Sequence, residues 1–183
     1  TNPRLGAADI SMFVAQGLST APVRSTTTPA LGTHALLVST ANSTKDEGVY
    51  WATPSFVGHP EGSYLVASCE VRAASGTSSV GISITDSSGT ALATSLPTAL
   101  STSWQRIFIV YHLPVHSPAT YRVLVGTSSQ ADQDFFIDKI HVEPRKDGAA
   151  PVYVDGSVAS VSGEQYEWLG ADNASESRRR PGM

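Results

Sequence analysis

The alternation of apolar and polar positions is clearest between Tyr64 and Ala73. There Leu65, Ala67, Cys69 and Val71 fall on one side, and Ser68, Glu70 and Arg72 on the other. Period-two alternation of this kind predicts a half-buried β-strand. The same reading gives a strand over Val80–Thr85, where Val80, Ile82 and Ile84 alternate with Gly81, Ser83 and Thr85. Trp104–Leu113 is the longest candidate, with Ile107, Ile109, Tyr111 and Leu113 on one side. Trp104, Phe108 and Val110 lie on the other, so both of its faces are expected to be covered. Further strands are read at Met12–Val14, His34–Thr40, Val49–Val57 (broken by Pro54), Leu92–Thr94, Tyr121–Val125 and Phe135–Glu143. Gly and Pro punctuate the gaps, most strongly at Gly58–Gly62 and Pro114–Pro118, and Asp86–Gly89 is a hairpin turn. Seven or eight short strands separated by turns predict two packed antiparallel sheets.

Composition agrees with an all-β reading. Ser and Thr supply 42 of 183 residues, with 15 Gly and 11 Pro, and these are weak helix formers. The hydrophobic fraction of 40% exceeds that of a disordered polar tract. No apolar run approaches the ~18 residues of a spanning helix, and no signal-like segment opens the chain, so membrane insertion is not expected. Position 1 is Thr rather than Met, which leaves a longer parent chain open.

The net charge is -4, but Arg178, Arg179 and Arg180 sit together, so residues 1–177 carry 9 basic against 16 acidic groups, or -7. The body therefore has no basic face for nucleic acid, and the triplet reads as a solvated tail or linker. Pro144–Gly148 marks a compositional break. It divides the chain into a main domain, 1–146, and a terminal segment, 147–183, in which Val152–Gly156 and Gln165–Trp168 are expected to pair as a small hairpin.

The search for chemistry yields little. Cys69 is the only cysteine, which excludes an internal disulfide and reads as a buried core thiol. His34, His59, His112, His116 and His141 read as turn or solvent-facing; His112 and His116 have a ligand-like spacing, but Pro114 between them argues against a helical zinc pair. No nucleophile elbow, phosphate loop or dinucleotide fingerprint is present, and the chain is not expected to be an enzyme. Asp132, Asp134 and Asp138 make an acidic turn, with a structural cation such as calcium as the alternative. Among the aromatics, Tyr50, Trp51, Trp104 and Tyr121 are the candidates for a glycan or partner surface, and core filling is the competing role for each. Tyr50 and Trp51 are adjacent, so one is expected in the core and the other outside it.

The stretches Trp104-Gln105-Arg106, Ala119–Gly126 and Phe136–Glu143, with the opening Thr1–Gly6 and the strand Ala35–Val38, resemble the carbohydrate-binding-module-like jelly rolls of secreted glycanases and phage structural proteins. The resemblance implies an antiparallel β-sandwich of jelly-roll type over about residues 1–143. It also implies a calcium ion between the domain start and the last strand, where Asp138 matches the last-strand acid. Arg4-Leu5-Gly6 departs from the aromatic and carboxylate common at the opening.

The terminal segment is similar to a motif of minor tail proteins in phages of actinobacteria, through Tyr153, Asp155, Gly156, Tyr166, Trp168, Gly170, Asn173, Ser175 and Arg178. That likeness implies a structural virion protein of the tail or tail tip, docking through its terminal hairpin onto other virion proteins and copies of itself, with a capsid decoration protein as a variant. The alternative reading is a carbohydrate-binding module that recognises a host cell-wall polysaccharide, extracellular in location. No specific nucleic acid partner and no cofactor besides the calcium are expected.

Overall fold

A computed structural model describes residues 13–18, 20–30, 33–41, 46–53, 62–114, 120–128 and 132–146, and the backbone of 164–168 and 177–181. Strands account for its regular structure: β1 (Val14–Gln16), β2 (Val23–Ser25), β3 (Ala35–Val38), β4 (Gly48–Ala52), β5 (Tyr64–Ala73), β6 (Ser78–Thr85), β7 (Ala91–Thr94), β8 (Thr98–Leu100), β9 (Gln105–His112), β10 (Arg122–Thr127), β11 (Phe135–Arg145), β12 (Glu164–Trp168) and β13 (Ser177–Pro181). One sheet has the order β1-β4-β10-β6-β7, with β8 also on β6, and a second has the order β2-β3-β11-β5-β9. The chain passes between the sheets at β1–β2, β3–β4, β4–β5, β5–β6, β8–β9, β9–β10 and β10–β11, and every strand pair is antiparallel. Among the described residues no helix is long and apolar enough to cross a membrane.

The core lies between the sheets. β5 contributes Leu65, Ala67, Cys69 and Val71, and β6 contributes Val80, Ile82 and Ile84, as the alternation predicts. Each buried Leu, Ile or Val stabilises the fold by roughly 1.5–3 kcal/mol relative to exposure. Cys69 is fully enclosed, and burial pushes its thiol far above its ordinary range, the Arg106 charge only partly opposing this. The native protein is therefore expected to be inert to a thiol-reactive dye at pH 8, and to react only on unfolding in guanidinium. Stoichiometric labelling of the folded chain would overturn that placement.

β11 shows how a single irregularity sets a face. Asp138 pairs with Glu70 and His141 with Ser68, so β11 carries one residue more than β5 over this interval. The bulge holds Lys139 at φ 46, in the left-handed region. It resets the parity of the strand, so that Ile137, Ile140 and Val142 all join the core while Asp138, His141 and Glu143 lie on the other face.

Several expectations change. The polar side of β5 is not solvent-facing: Arg72 is buried where the chain around Thr27 and Thr28 folds over it, and Ser68 is buried between Phe108 and His141 under Arg106. His141 is buried rather than exposed, since the bulge turns it between Ser68 and Glu143. Phe108, expected to be covered, is 47% exposed, because β9 is the terminal strand of its sheet. At the carboxyl end β12 pairs with β13, placing Glu167 opposite Arg178, so the arginine triplet forms a strand and not a tail. The expected partner of β12, Val152–Gly156, lies outside the described residues, as do His59, His116 and the Val57 end of the fourth predicted strand.

Candidate functional site

The outer faces of the two sheets differ in how their polar groups are used. On the five-stranded sheet most of them engage one another, apart from Arg72 Nε and His141 Nδ1, which are buried with no hydrogen-bond partner among the described residues. Arg106 donates to Ser68 Oγ at 2.7 Å and lies 3.9 Å from Glu70, and Arg145 donates to Glu143 at 3.0 Å. His141 Nε2 lies 3.3 Å from Glu143 Oε2. Burial tends to raise the Glu143 carboxyl, but the hydrogen bond and charge of His141, with Arg145, outweigh it and hold the group below its ordinary value.

At the other end of this face Arg72 is buried between two rings. Its guanidinium carbon lies 4.2 Å from the Phe136 centroid and 5.4 Å from that of Trp104. Its Nη2 donates to Thr27 O at 3.2 Å and to Thr28 Oγ1 at 2.5 Å. Trp104 Nε1 donates to Thr28 O at 3.0 Å, and Asp138 Oδ2 accepts from Ala30 N at 2.8 Å. Thr28 sits at φ 41, an unusual conformation for a β-branched residue, held by these bonds. The segment from Thr27 to Ala30 is thus strapped across this end of the sheet.

The six-stranded sheet is open by contrast. Gly48, Gly126 and Gly81 stand side by side across β4, β10 and β6. One step along, Tyr50, Leu124, Ser83 and Thr94 make the neighbouring row on the same face. Beyond it come Ala52, Arg122 and Thr85. A row without side chains beside a row with them leaves a trough, and a cavity of about 180 Å³ lies there, lined by Asp46, Ser83, Thr94, Ser95, Pro97 and Leu124 among others.

The three glycines have different physical reasons. A Cβ on Gly48 would lie 2.0 Å from Val125 O, so only glycine permits this approach of β4 to β10. A Cβ on Gly126 would meet Glu47 O at 3.0 Å, where Asp46 N donates to Thr127 O and Thr127 N to Glu47 O. A Cβ on Gly81 would have only Ser95 Oγ at 3.5 Å and Ser95 O at 3.9 Å near it, so this position is open toward the trough.

The trough is polar with an apolar strip. Ser95 Oγ is occupied, accepting from Ile82 N at 3.1 Å and donating to Leu96 O at 3.0 Å. The hydroxyls of Ser83 and Thr94 make no hydrogen bond to another described residue. Leu124, which lines the cavity at 6% exposure, and Tyr50 beside it in the row supply the apolar strip, and Leu96, 87% exposed, stands next to the lining residues Ser95 and Pro97. Hydroxyls beside apolar surface suit a ligand that is itself amphipathic and rich in hydroxyl groups.

The four aromatic candidates do not form one surface. Trp51 and Tyr121 are core residues, with 3% and 0% exposure, Trp51 packing edge-on to Phe13 and Tyr121 to Tyr111. Strand parity is the reason: Trp51 pairs with Val123 on the inner face, and Tyr50 takes the outer one. Trp104 belongs to the strap on the opposite sheet. Only Tyr50 lies on the outer face of the six-stranded sheet, beside the cavity-lining Leu124.

Gly48, Gly81 and Gly126 were the residues that sequence reading passed over, although a glycine inside a strand pattern is itself a signal of close backbone approach. Of the terminal motif, Tyr166 and Trp168 lie on β12 and Arg178 on β13; Tyr153, Asp155, Gly156, Gly170, Asn173 and Ser175 lie outside the described residues.

Of the expected calcium site, the last-strand acid Asp138 is among the described residues. Its Oδ2 accepts from Ala30 N and its Oδ1 from Lys139 N at 2.7 Å, so both oxygens serve the backbone. Asp132 and Asp134 are exposed, and among the described residues no three His, Cys, Asp or Glu side chains converge as ligands. The domain start at Thr1–Gly6, expected to share the ion with Asp138, lies outside the described residues.

No protein-family model matches the sequence, and no curated protein matches it. Solved structures do match in fold. The chain is similar to the CBM22-1 xylan-binding domain of Paenibacillus barcinonensis Xyn10C, with a TM-score of 0.63, 11% identity, and coverage of 80% of this chain and 94% of that one. It is similar to the carboxyl-terminal family 22 carbohydrate-binding module of Clostridium thermocellum Xyn10B, at TM-score 0.60 and 16% identity over 82% and 95% of the two chains. TmCBM61, solved in complex with β-1,4-galactotriose, matches at TM-score 0.53 and 15% identity over 77% and 94%. The chain has the antiparallel jelly-roll sandwich of these carbohydrate-binding modules. At such identities the likeness is one of fold alone.

Proposed function

We propose that this chain binds a polysaccharide through the trough on the outer face of its six-stranded sheet. The observation that carries the reading is the glycine-floored trough itself, where the unpaired hydroxyls of Ser83 and Thr94 flank the Tyr50–Leu124 strip. A sugar ring has apolar C–H faces and an equatorial rim of hydroxyls. Its faces pack on Tyr50 and Leu124, and its rim exchanges hydrogen bonds with Ser83 and Thr94. The fold supports this reading, because the modules it resembles include a xylan-binding domain and a galactotriose complex.

The role is recognition without turnover. Glycoside cleavage needs two carboxyl groups flanking the bond, and among the described residues Asp46 is the one acid that lines the trough. A polysaccharide partner places the chain outside the cell or at a cell surface. Polysaccharide recognition thereby moves ahead of virion assembly, which rested on the terminal motif and draws nothing from the similar folds.

Gly81 offers the test, since a side chain there enters the trough without touching backbone closely. Affinity electrophoresis against a panel containing xylan and β-1,4-galactan should show retention of the native chain. Gly81→Val should weaken that retention by at least about tenfold and Gly81→Ala by a few fold, with folding retained, because alanine relieves the glycine entropy cost in a strand. No retention by any polysaccharide, or retention of Gly81→Val equal to the native chain, sinks the proposal.

A further inference from the structure

We infer that the polysaccharide bound in this trough is an acidic one, and that Arg122 reads a carboxylate carried on it. The inference rests on the proposed use of the trough and adds the chemical class of its ligand.

Arg122 lies on β10 two positions before Leu124, on the same face. It stands apart from the other described arginines. Arg24 pairs with His34, Arg72 with Thr27 and Thr28, Arg106 with Ser68 and Glu70, and Arg145 with Glu143. Arg122 has no ion pair and no hydrogen bond to another described residue. What it does have is the ring of Tyr50, whose centroid lies 4.8 Å from its guanidinium carbon.

Asp86, the acid of the adjoining β6–β7 turn, has its Oδ1 committed at home. It accepts from Ser88 Oγ at 2.6 Å, Ser88 N at 2.8 Å and Thr90 N at 2.9 Å, and these bonds hold its carboxyl below the ordinary value. Arg122 is therefore held over an aromatic face with its donors unspent, in a chain whose net charge is -4. A stacked guanidinium loses little freedom on binding, and its fork of N–H groups matches the two oxygens of a carboxylate.

The opposite end of the trough carries Asp46, whose amide bonds Thr127 O. Five residue steps along β10 lead from Arg122 to Thr127, roughly 16 Å at strand rise. This outer face thus carries an anion in the cavity lining and a cation two positions from Leu124, and an acidic glycan is favoured only with its carboxylate at the Tyr50–Arg122 end. The group fits a uronic acid residue on the polymer.

Titration calorimetry with the full chain would compare glucuronoxylan and polygalacturonate with the same polymers after carboxyl reduction. Reduction should weaken binding of at least one pair by about tenfold. Arg122→Gln should lose the same factor on that native polymer and nothing on its reduced form, and Arg122→Lys should recover part of it, with thermal melts confirming that both variants fold. Equal affinity for native and reduced polymers would overturn the carboxylate assignment while leaving polysaccharide binding intact. So would Arg122→Gln weakening both forms alike, or stronger, Arg122-dependent retention of a phosphate-bearing wall polymer. Binding of none of these polymers, together with no retention on the neutral panel, overturns the inference along with the reading beneath it.

Discussion

Gly48→Ala is expected to destabilise the sandwich by about 3 kcal/mol or more, the range of overpacked and backbone-strained sites. The added methyl would meet Val125 O at 2.0 Å, Gly126 Cα at 2.5 Å and Val125 C at 2.8 Å. All three are main-chain atoms of β10, the strand between β4 and β6, so no side chain can turn aside to make room. Relief requires β4 to move off β10, at the expense of the pairing of Gly48, Val49 and Tyr50 with Gly126, Val125 and Leu124. It also disturbs the return bonds between Asp46–Glu47 and Thr127.

Gly81→Ala, in the same cross-strand row, is the matched control. Its methyl meets a serine hydroxyl at ordinary contact distance, and stability should change by less than about 0.5 kcal/mol. Thermal and urea denaturation of both variants decides the matter. At roughly 2–4 °C per kcal/mol for a domain of this size, Gly48→Ala should melt about 6–12 °C below the native chain. A Gly48→Ala protein melting within about 2 °C of the native chain would show that the close approach is not a feature of the fold.

The contrast between those two glycines also marks where sequence stops being readable. β5 ends where alternation says it should, at Tyr64 and Ala73, because period-two burial is a local property of the chain. The turn at Asp86–Gly89 is equally local, with Gly89 at φ 94 and the Asp86 carboxylate capping it. The trough is not local. Gly48, Gly81 and Gly126 become a row only through strand register between distant segments, and each alone reads as an ordinary strand glycine. The same holds for the pairing of β12 with β13, which joins segments nine or more residues apart.

Polar residues inside strands read as the uncovered side of a half-buried strand for a related reason. Arg72 alternates correctly out of the core, but its fate depends on a segment some 45 residues earlier in the chain. Tyr50 is the site residue that sequence did point to, because adjacency to Trp51 forces the two rings onto opposite faces whatever the register.

Arg72→Ala should cost about 2–4 kcal/mol, for three reasons that act together. It removes the hydrogen bonds to Thr27 O and Thr28 Oγ1, each worth about 0.5–1.5 kcal/mol net on a segment whose acceptors water can reach. It empties the space between Trp104 and Phe136, which the guanidinium fills by stacking on both rings. It also removes the tie that keeps Thr28 in its unfavourable backbone region, so the strap relaxes away from the sheet.

Arg72→Lys should recover little, since an ammonium cannot lie flat between two rings while donating to two separate oxygens. Denaturation curves measure the loss, and a change in Trp104 emission would report the loosened strap. The strap and the trough lie on opposite sheets, so the two kinds of damage should separate. Below its lowered melting temperature, Arg72→Ala should bind polysaccharide within about twofold of the native chain. Arg72→Ala melting like the native chain would remove the strap as a stabilising device. A large loss of binding in a folded Arg72→Ala protein would instead move the recognition surface to the five-stranded sheet.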